Sequence, residues 1–384
     1  MEHLLFYLAI ATLGFFVAFG IDLVVGNRSI KFLKDVPDTR IAPGPKVSII
    51  IPARNEERNI QEALRSVLGQ DYGNTEFIVI DDRSTDQTGA ILDRMAQADS
   101  RLRVVHVREL PPGWLGKNHA LYVGAHQATG DVLLFTDADI VMRPSSVRKA
   151  VGYMVTNRLD NLTITPEVRM PGILLDVFVG AFTVFFSLYA RPWKAKDPKS
   201  KRFIGIGGFN LLRAPVYRAV GTHRAIAMRP DDDIKLGKLI KWGGYRQEVL
   251  FGRDMLQVEW YSSLRELIDG LMKNAFAGVN YSILAIVLSS IAQFLLNVWP
   301  FLALILSHGI ARVLNAVVVL LIILICWDNA RFHNSRRWYG IGFPISTLLF
   351  IYIMWRSMLM TLMNNGIRWR GTHYPLAELR ANKV

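Results

Sequence analysis

A single cysteine, Cys326, stands among 384 residues. It cannot close an intramolecular disulfide, and no Cys/His cluster offers a structural zinc site, so the chain suits a reducing compartment. There is no Gly-x4-Gly-Lys-Ser/Thr phosphate loop and no Gly-x-Gly-x-x-Gly dinucleotide pattern. Internal repeats and low-complexity tracts are also missing, which removes solenoid and array architectures. Acidic residues are in the minority: 45 Lys and Arg face 32 Asp and Glu, a formal net charge of +13. That excess calls for an anionic partner: nucleic acid, a phosphate-rich substrate or anionic lipid. No basic helix, aromatic-rich sheet motif or zinc finger supports nucleic acid. Apolar residues make up 51% and charged residues 20%. These values exclude a disordered chain and a protein that is membrane throughout, and they match a soluble domain averaged with a few spanning helices.

The apolar residues come in blocks. Leu4 to Val25 carries one charge, Asp22, near its end, and a run of about 22 residues spans a hydrocarbon core of roughly 30 Å. Glu2 and His3 precede it, whereas Arg28, Lys31, Lys34, Arg40 and Lys46 follow. By the positive-inside rule this is an uncleaved anchor, residues 1–26, which leaves the next domain in the cytoplasm. Gly172–Ala190 is apolar except for Asp176 and runs into Arg191, Lys194, Lys196, Lys199, Lys201 and Arg202. Such a helix can lie along the anionic cytoplasmic leaflet, and the alternative is a buried helix with a solvated loop. Three further candidates, about Ile283–Ser307, Val313–Cys326 and Ile341–Met363, fill a C-terminal membrane block over residues 280–363. Arg331, Arg336 and Arg337 mark one loop as cytoplasmic, and Arg368, Arg370, Arg380 and Lys383 mark the basic tail, residues 364–384, likewise. Three full crossings after a cytoplasmic domain would put the tail outside, so these signs conflict. Arg356 is costly at mid-membrane unless paired, which makes the last segment a re-entrant or interfacial candidate.

After the anchor, residues 47–165 read as a soluble α/β unit. Short β-rich runs (Val47–Ile51, Phe77–Ile80, Val104–Val107, Val132–Thr136, Leu162–Thr165) alternate with helical stretches such as Glu56–Leu68 and Thr85–Ala96. This pattern predicts a parallel sheet covered by helices, with ligands at the carboxyl ends of the strands. Pro52, Ala53, Arg54, Asn55, Glu56 and Glu57 follow the first strand, and Asp81-Asp82-Arg83-Ser84-Thr85-Asp86 closes the second. A carboxylate there can bond a ribose or a base edge, although helix capping would use the same residues. Asp137-Ala138-Asp139 follows a hydrophobic strand. Side chains two apart in an extended chain point the same way, so both carboxylates can converge on magnesium or manganese. Aspartates are also common in plain turns. Gly207-Gly208-Phe209-Asn210 allows a close backbone approach. Asp231-Asp232-Asp233 precedes a helix expected over Ile234–Lys241. The helix dipole accounts for acids at that position, and their crowding would raise at least one pKa, as a general base requires.

Together these segments resemble the family 2 inverting glycosyltransferases, over about residues 46–275. The resemblance is carried by Val47–Glu56, Val79–Asp86, Pro112-Gly113-Trp114-Leu115-Gly116-Lys117-Asn118, Phe135–Asp139, Gly207–Asn210 and Asp231–Asp233. The Gly-Trp-Leu-Gly-Lys stretch and the C-terminal spans look most like ceramide-glucosyltransferase-like and carotenoid- or hopanoid-associated enzymes. The resemblance implies a GT-A (Rossmann-like) fold and a nucleotide-sugar donor, most often a UDP-sugar. It also implies a lipid acceptor and a multi-pass protein of the bacterial inner membrane. Pro52, Ala53, Asn55, Glu56, Asp81 and Asp82 would hold the nucleoside, Lys117 the diphosphate, and Asp137 with Asp139 the divalent metal (Mg2+ or Mn2+). Asp233 matches the catalytic base, with Asp232 in the neighbouring acidic place. One departure stands out. The Gln/Arg-x-x-Arg-Trp signature of processive and ceramide-type members is absent, and Lys273-Asn274 occupies the corresponding region. Lys273 can supply the positive charge, while the loss of the tryptophan argues against a processive synthase.

The expected reaction is inversion. Asp233 takes the proton of an acceptor hydroxyl, and a metal at Asp137 and Asp139, with Lys117, neutralises the departing diphosphate. A polyprenyl-phosphate sugar synthase or a polysaccharide-chain glycosyltransferase of the same fold is the nearest alternative. A membrane glycoside hydrolase would also pair carboxylates but needs no metal motif. A non-enzymatic membrane protein should carry its ionisable residues within the spans.

Overall fold

The computed structural model describes residues 2–39, 41 and 43–384. Met1 of the anchor and Arg40 of its basic flank lie outside them. The chain divides into two compact units. One comprises residues 30–167, 192–259 and 381–384, and the other residues 1–29, 168–191 and 260–380.

In chain order, helix α1 (Glu2–Arg28) is followed by β1 (Val47–Ala53), α2 (Ile60–Leu68), β2 (Thr75–Asp82), α3 (Thr88–Ala98) and β3 (Leu102–Val107). Next come α4 (Gly116–Gln127), β4 (Val132–Phe135), β5 (Val141–Met142), α5 (Ser146–Thr156), β6 (Asn161–Thr165), β7 (Glu167–Arg169) and α6 (Ile173–Ala190). Then follow β8 (Asn210–Arg213), α7 (Ala214–Ala219), α8 (Asp232–Trp242), β9 (Gln247–Phe251), β10 (Leu256–Glu259) and α9 (Leu264–Ala275).

The first unit is built on a seven-stranded sheet in the order β3-β2-β1-β4-β8-β6-β9. Its central strands are hydrophobic on both faces. Val47, Ile49, Ile50, Ile51, Phe77, Ile78, Val79 and Ile80 are all at most 2% exposed, as a sheet covered by helices on both sides demands. Strands β1, β2, β3 and β4 pair in parallel, with Ile50 opposite Ile78 and Phe135. The all-parallel expectation needs one correction: β8 runs antiparallel to both β4 and β6. It arrives through the long 166–209 connection rather than a short βαβ crossover, so the handedness rule for parallel units does not govern it. Helix boundaries also shift. Glu56 to Asn59 and Thr85 to Gln87 form loops before α2 and α3 rather than their first turns, because their side chains and backbone bond to one another instead.

The second unit is helical. Among the described residues, five helical stretches are long and apolar enough to cross a membrane: His3–Arg28, Ile173–Lys194, Ile283–Leu306, Gly309–His333 and Tyr339–Met363. The third is interrupted by a π-helical turn over Phe294–Val298, a widened turn that often marks a strained or functional place in a span. We number its parts α10 (Ile283–Gln293) and α11 (Trp299–Leu306), followed by α12 (Gly309–His333) and α13 (Phe343–Met363). Helices α1 and α12 pack side by side and run parallel. A Cβ on Gly20 would touch Ile325, Asn27 Nδ2 donates to Asn329 Oδ1 at 3.0 Å, and Arg28 grips Asp328 at 2.9 Å. Arg336 pairs with Asp176 at 3.1 Å, and Arg356 with Asp269 at 3.0 Å. Arg356 thus has the partner that its place on an apolar helix requires.

Candidate active site

The site forms where strand ends, glycines and the start of α8 converge. Segment 204–207 runs against the first turns of α8 so closely that two glycines are needed. A Cβ on Gly205 would fall 1.7 Å from the Asp233 carbonyl oxygen, and one on Gly237 would fall 2.0 Å from the Ile204 carbonyl oxygen. The contact places the Gly207 N–H on Asp233 Oδ2 at 2.9 Å. The Ile234 N–H binds Asp233 Oδ1 at 2.8 Å. Asp233 is therefore oriented by two backbone donors, one on each oxygen. Burial raises its pKa, Lys117 opposes the rise and Asp137 adds to it.

Lys117 enters from the other side, on the first turn of α4. Its Nζ lies 2.8 Å from Asp137 Oδ1 and 3.8 Å from Asp232 Oδ2. Burial works against the ammonium charge, but Asp137, Asp232 and Asp233 outweigh it and hold the pKa above the ordinary lysine value. The cation is fixed by its neighbour: Asn118 is 1% exposed, and its Nδ2 donates to the carbonyls of Ile226, Ala227 and Arg229 at 2.8–3.1 Å. The Leu115 N–H adds a bond to the Ala227 carbonyl at 2.9 Å. The start of α4 is thus tied to the loop that leads into Asp231-Asp232-Asp233. Asp231 itself is occupied elsewhere, in a two-point pair with buried Arg229 at 2.9 and 3.0 Å.

Lys117, Asp137, Asn210, His223, Asp232 and Asp233 line one cavity, whose enclosed space is that of about one water. The Asp137-Ala138-Asp139 stretch differs from its expected extended form: β4 ends at Phe135, and Ala138-Asp139 lies in a turn. The two carboxylates still sense each other. Burial, then Asp137, then Glu56 push the Asp139 carboxyl up to about 7. Mutually repelling carboxylates of this kind suit a hard divalent cation. Among the described residues no group of three or more His, Cys, Asp or Glu side chains could hold a metal alone. A two-carboxylate site whose other positions fall to substrate oxygens fits the preference of Mg2+ and Mn2+.

The remaining sequence candidates lie at the ends of β1 and β2. Pro52 and Ala53 close β1. Asn55 takes a left-handed φ of 53°, accepts the Thr85 N–H at 2.8 Å and donates its own N–H to Ser84. The Glu56 N–H bonds Thr88 Oγ1 at 2.8 Å. Asp81 Oδ2 lies 2.8 Å from His106 Nδ1, and Asp82 is held at both oxygens by Arg83, at 2.8 and 3.0 Å. A Cβ on Gly116 would come within 2.4 Å of Asp82 Oδ2, so α4 starts against that carboxylate, as the positive end of its dipole favours. Lys273 belongs to the helical unit, where its Nζ sits 4.0 Å over the Trp369 ring. Sequence reasoning assigned no role to Asn118, Arg229, Asn210 or His223. A polar residue beside a motif lysine was the only local sign of Asn118.

Residues 48–221 match the model of Glycosyl transferase family 2. The chain carries a family 2 glycosyltransferase domain of GT-A fold. A 4,4'-diaponeurosporenoate glycosyltransferase of Staphylococcus haemolyticus is 37% identical over 107 residues, 27% of each chain. The enzyme of the same name from Staphylococcus aureus is 22% identical over 339 residues, 86% of this chain and 89% of that one. Five curated relatives at 28–37% identity are matched over only 27–57% of their own length. A mannosyltransferase from Pyrobaculum calidifontis, solved with GDP-Man and Mn2+, covers 94% of this chain, and 99% of its own, at a TM-score of 0.56 and 18% identity. That similarity shows the GT-A fold.

Proposed function

We propose that this glycosyltransferase moves a sugar from a nucleotide-sugar, most simply a UDP-sugar, to a hydroxyl of a membrane lipid with inversion at the anomeric carbon. The observation that carries the reading is the placement of Asp233. A carboxylate held by two N–H groups and made more basic by burial shares one cavity with the Lys117 ammonium. Asp233 takes the acceptor O–H proton as the oxygen bonds to the anomeric carbon. The bond to the diphosphate oxygen breaks, and its electron pair leaves toward Lys117. Asp137 and Asp139 would hold a divalent cation, which when bound supplies further neutralisation of the leaving diphosphate. Pro52, Ala53, Asn55, Glu56, Asp81 and Asp82 line the strand ends where the nucleoside would lie. The carotenoid-related name of the Staphylococcus relatives supports an apolar, membrane-borne acceptor. The decisive experiment incubates purified protein with a nucleotide-sugar panel, membrane lipid extract and Mg2+ or Mn2+, and reads free nucleoside diphosphate. If no nucleotide-sugar is consumed or bound with any metal, the transferase reading fails.

Binding of Mn2+ with UDP should release more protons near pH 7 than UDP binding alone, because burial and Asp137 push the Asp139 carboxyl up to about 7. Calorimetry in buffers of different ionisation enthalpy measures this difference, and a value near zero would remove Asp139 from the ligand set.

Chain connectivity supports a membrane topology of three crossings. β6 and β8 are hydrogen-bonded in one sheet, yet α6 lies between them in the chain. Strands of one sheet cannot stand on opposite sides of a bilayer, so α6, about 27 Å long, lies at the interface and does not cross. The same argument applies to residues 260–380, because residues 381–384 rejoin the sheet-containing unit. That return requires an even number of crossings. The parallel packing of α1 and α12 brings the end of α12 back to the side from which the catalytic segments start. α10–α11 and α12 then cross as a hairpin, while α13 stays on that side. In a Cys326→Ser background, Asn364→Cys should react with an impermeant maleimide only from the side that labels Glu57→Cys. His308→Cys should react only from the opposite side. Labelling of Asn364→Cys from the His308 side would overturn this topology.

A further inference from the structure

The cavity has a back wall that the transfer chemistry leaves unused. Besides the charged groups it is lined by Leu121, Phe135 and Leu236, and by Asn210 and His223. The last two are 2% and 1% exposed, and each has one polar atom already committed by what lies behind it.

For His223 the committed atom is Nδ1. The Tyr217 hydroxyl accepts the backbone N–H of His223 at 3.1 Å and lies 2.8 Å from its Nδ1. In the Nε2–H tautomer the hydroxyl directs its own proton at Nδ1. Burial, and then the Lys117 charge, push the imidazole down to about 3, so the ring is neutral. A neutral ring that accepts at Nδ1 carries its proton on Nε2, the nitrogen with no partner among the described residues. Phe135 packs edge-on at 4.9 Å and holds the ring in place.

For Asn210 the committed atom is Oδ1, and a buried chain of amides fixes it. Gln247 Oε1 accepts the Ile204 N–H at 2.9 Å, so its Nε2 is the end that donates to Asn161 Oδ1 at 2.8 Å. Asn161 then gives its Nδ2 to the Leu211 carbonyl at 3.1 Å and to Asn210 Oδ1 at 2.7 Å. Backbone groups at both ends of the chain set these orientations. Asn210 is left with an Nδ2 donor, also without a partner among the described residues.

Two buried, pre-oriented and neutral donors thus border a cavity whose charged groups are Lys117 and the carboxylates. Neutral donors suit a neutral acceptor, and a space the size of about one water takes a single hydroxyl group. We propose that Asn210 Nδ2 and His223 Nε2 bind a hydroxyl oxygen of the transferred sugar and thereby select which nucleotide-sugar is used. The proposal rests on the glycosyl-transfer reading and deepens it by naming the group that is recognised. A site that hydrogen-bonds a substrate hydroxyl rejects the analogue lacking it, because the buried donors are then left unpaired.

The test uses the full-length protein and a panel of UDP-glucose, UDP-galactose, UDP-N-acetylglucosamine and GDP-mannose, followed by single-position deoxy analogues of the best donor. His223→Asn keeps an acceptor for Tyr217 and removes the Nε2 donor. His223→Gln restores a donor near the Nε2 position. Wild-type protein should lose about tenfold or more in kcat/KM on one deoxy analogue. His223→Asn should lose a similar factor on the parent sugar and nothing further on that analogue, and His223→Gln should recover part of the loss. Affinity for free UDP or GDP should stay within about twofold, which shows the site intact. A loss that is the same on the parent and every deoxy analogue, or no loss at all, would overturn the assignment. Should wild-type protein consume none of the panel, the transfer reading fails and takes this one with it. Turnover with no discrimination by the His223 variants sinks this assignment alone.

Discussion

Asp233→Asn should lower transfer by a factor of about 10³ or more, with nucleotide binding nearly unchanged. The amide fills the same space, and its oxygen can still accept the Gly207 N–H that now bonds Oδ2. It cannot accept a proton from a hydroxyl, so the chemical step loses its base. The ground state loses little, because the nucleoside candidates sit at the ends of β1 and β2 rather than at Asp233. The signature is therefore a fall in kcat with a nearly constant dissociation constant for UDP. Normal turnover by this variant would refute the base assignment.

Lys117→Met should cost about 10²–10³ in kcat, the usual scale for one electrostatic donor to a developing anion. It should also move the acidic limb of the pH–rate profile upward. The sign follows from the surroundings of Asp233: burial raises its pKa and the Lys117 charge opposes that rise. Without the ammonium the base protonates at a higher pH. Stability should change in the same sense. Asp139 and Asp233 have folded pKa values above the ordinary carboxylate range, so deprotonating them destabilises the fold as pH climbs from the unfolded toward the folded value. The variant should lose more Tm between pH 5 and pH 8 than the wild type does. An unmoved pH profile would show that Lys117 does not act on the base.

The catalytic fold was legible because each hydrophobic strand is followed by a polar loop, so strand order and ligand edge could be read together. Asp137 came from such a loop, Asp232 and Asp233 came from an acidic run before a helix, and the structure brings all three around Lys117. The antiparallel β8 was not legible, since a four-residue run such as Asn210–Arg213 has no periodicity of its own and its direction depends on the long connection before it. His223 and Asn210 were hidden for a similar reason. Their meaning lies in which atom a distant Tyr217 or Gln247 has already taken, and no spacing along the chain encodes that. Arg356 posed the reverse case: its cost was visible, whereas its partner Asp269 lies 87 residues away.

The late arrival of β8 also orders the assembly of the protein. β4 and β6 both emerge from the ribosome before α6, but the strand that joins them comes after it. Until β8 arrives, β4 exposes a hydrophobic edge with unpaired N–H and C=O groups, which invites aggregation. The nearly continuous apolar α6 would meanwhile need lipid, if it lies at the membrane interface as proposed. On that proposal, completion of the sheet would be linked to membrane engagement: a nascent chain that fails to place α6 carries both an open sheet edge and an unburied apolar helix. Pairing over such a long separation is slow. On the proposed function, the bilayer would act on this protein first as a folding surface, and only afterwards as the source of its acceptor.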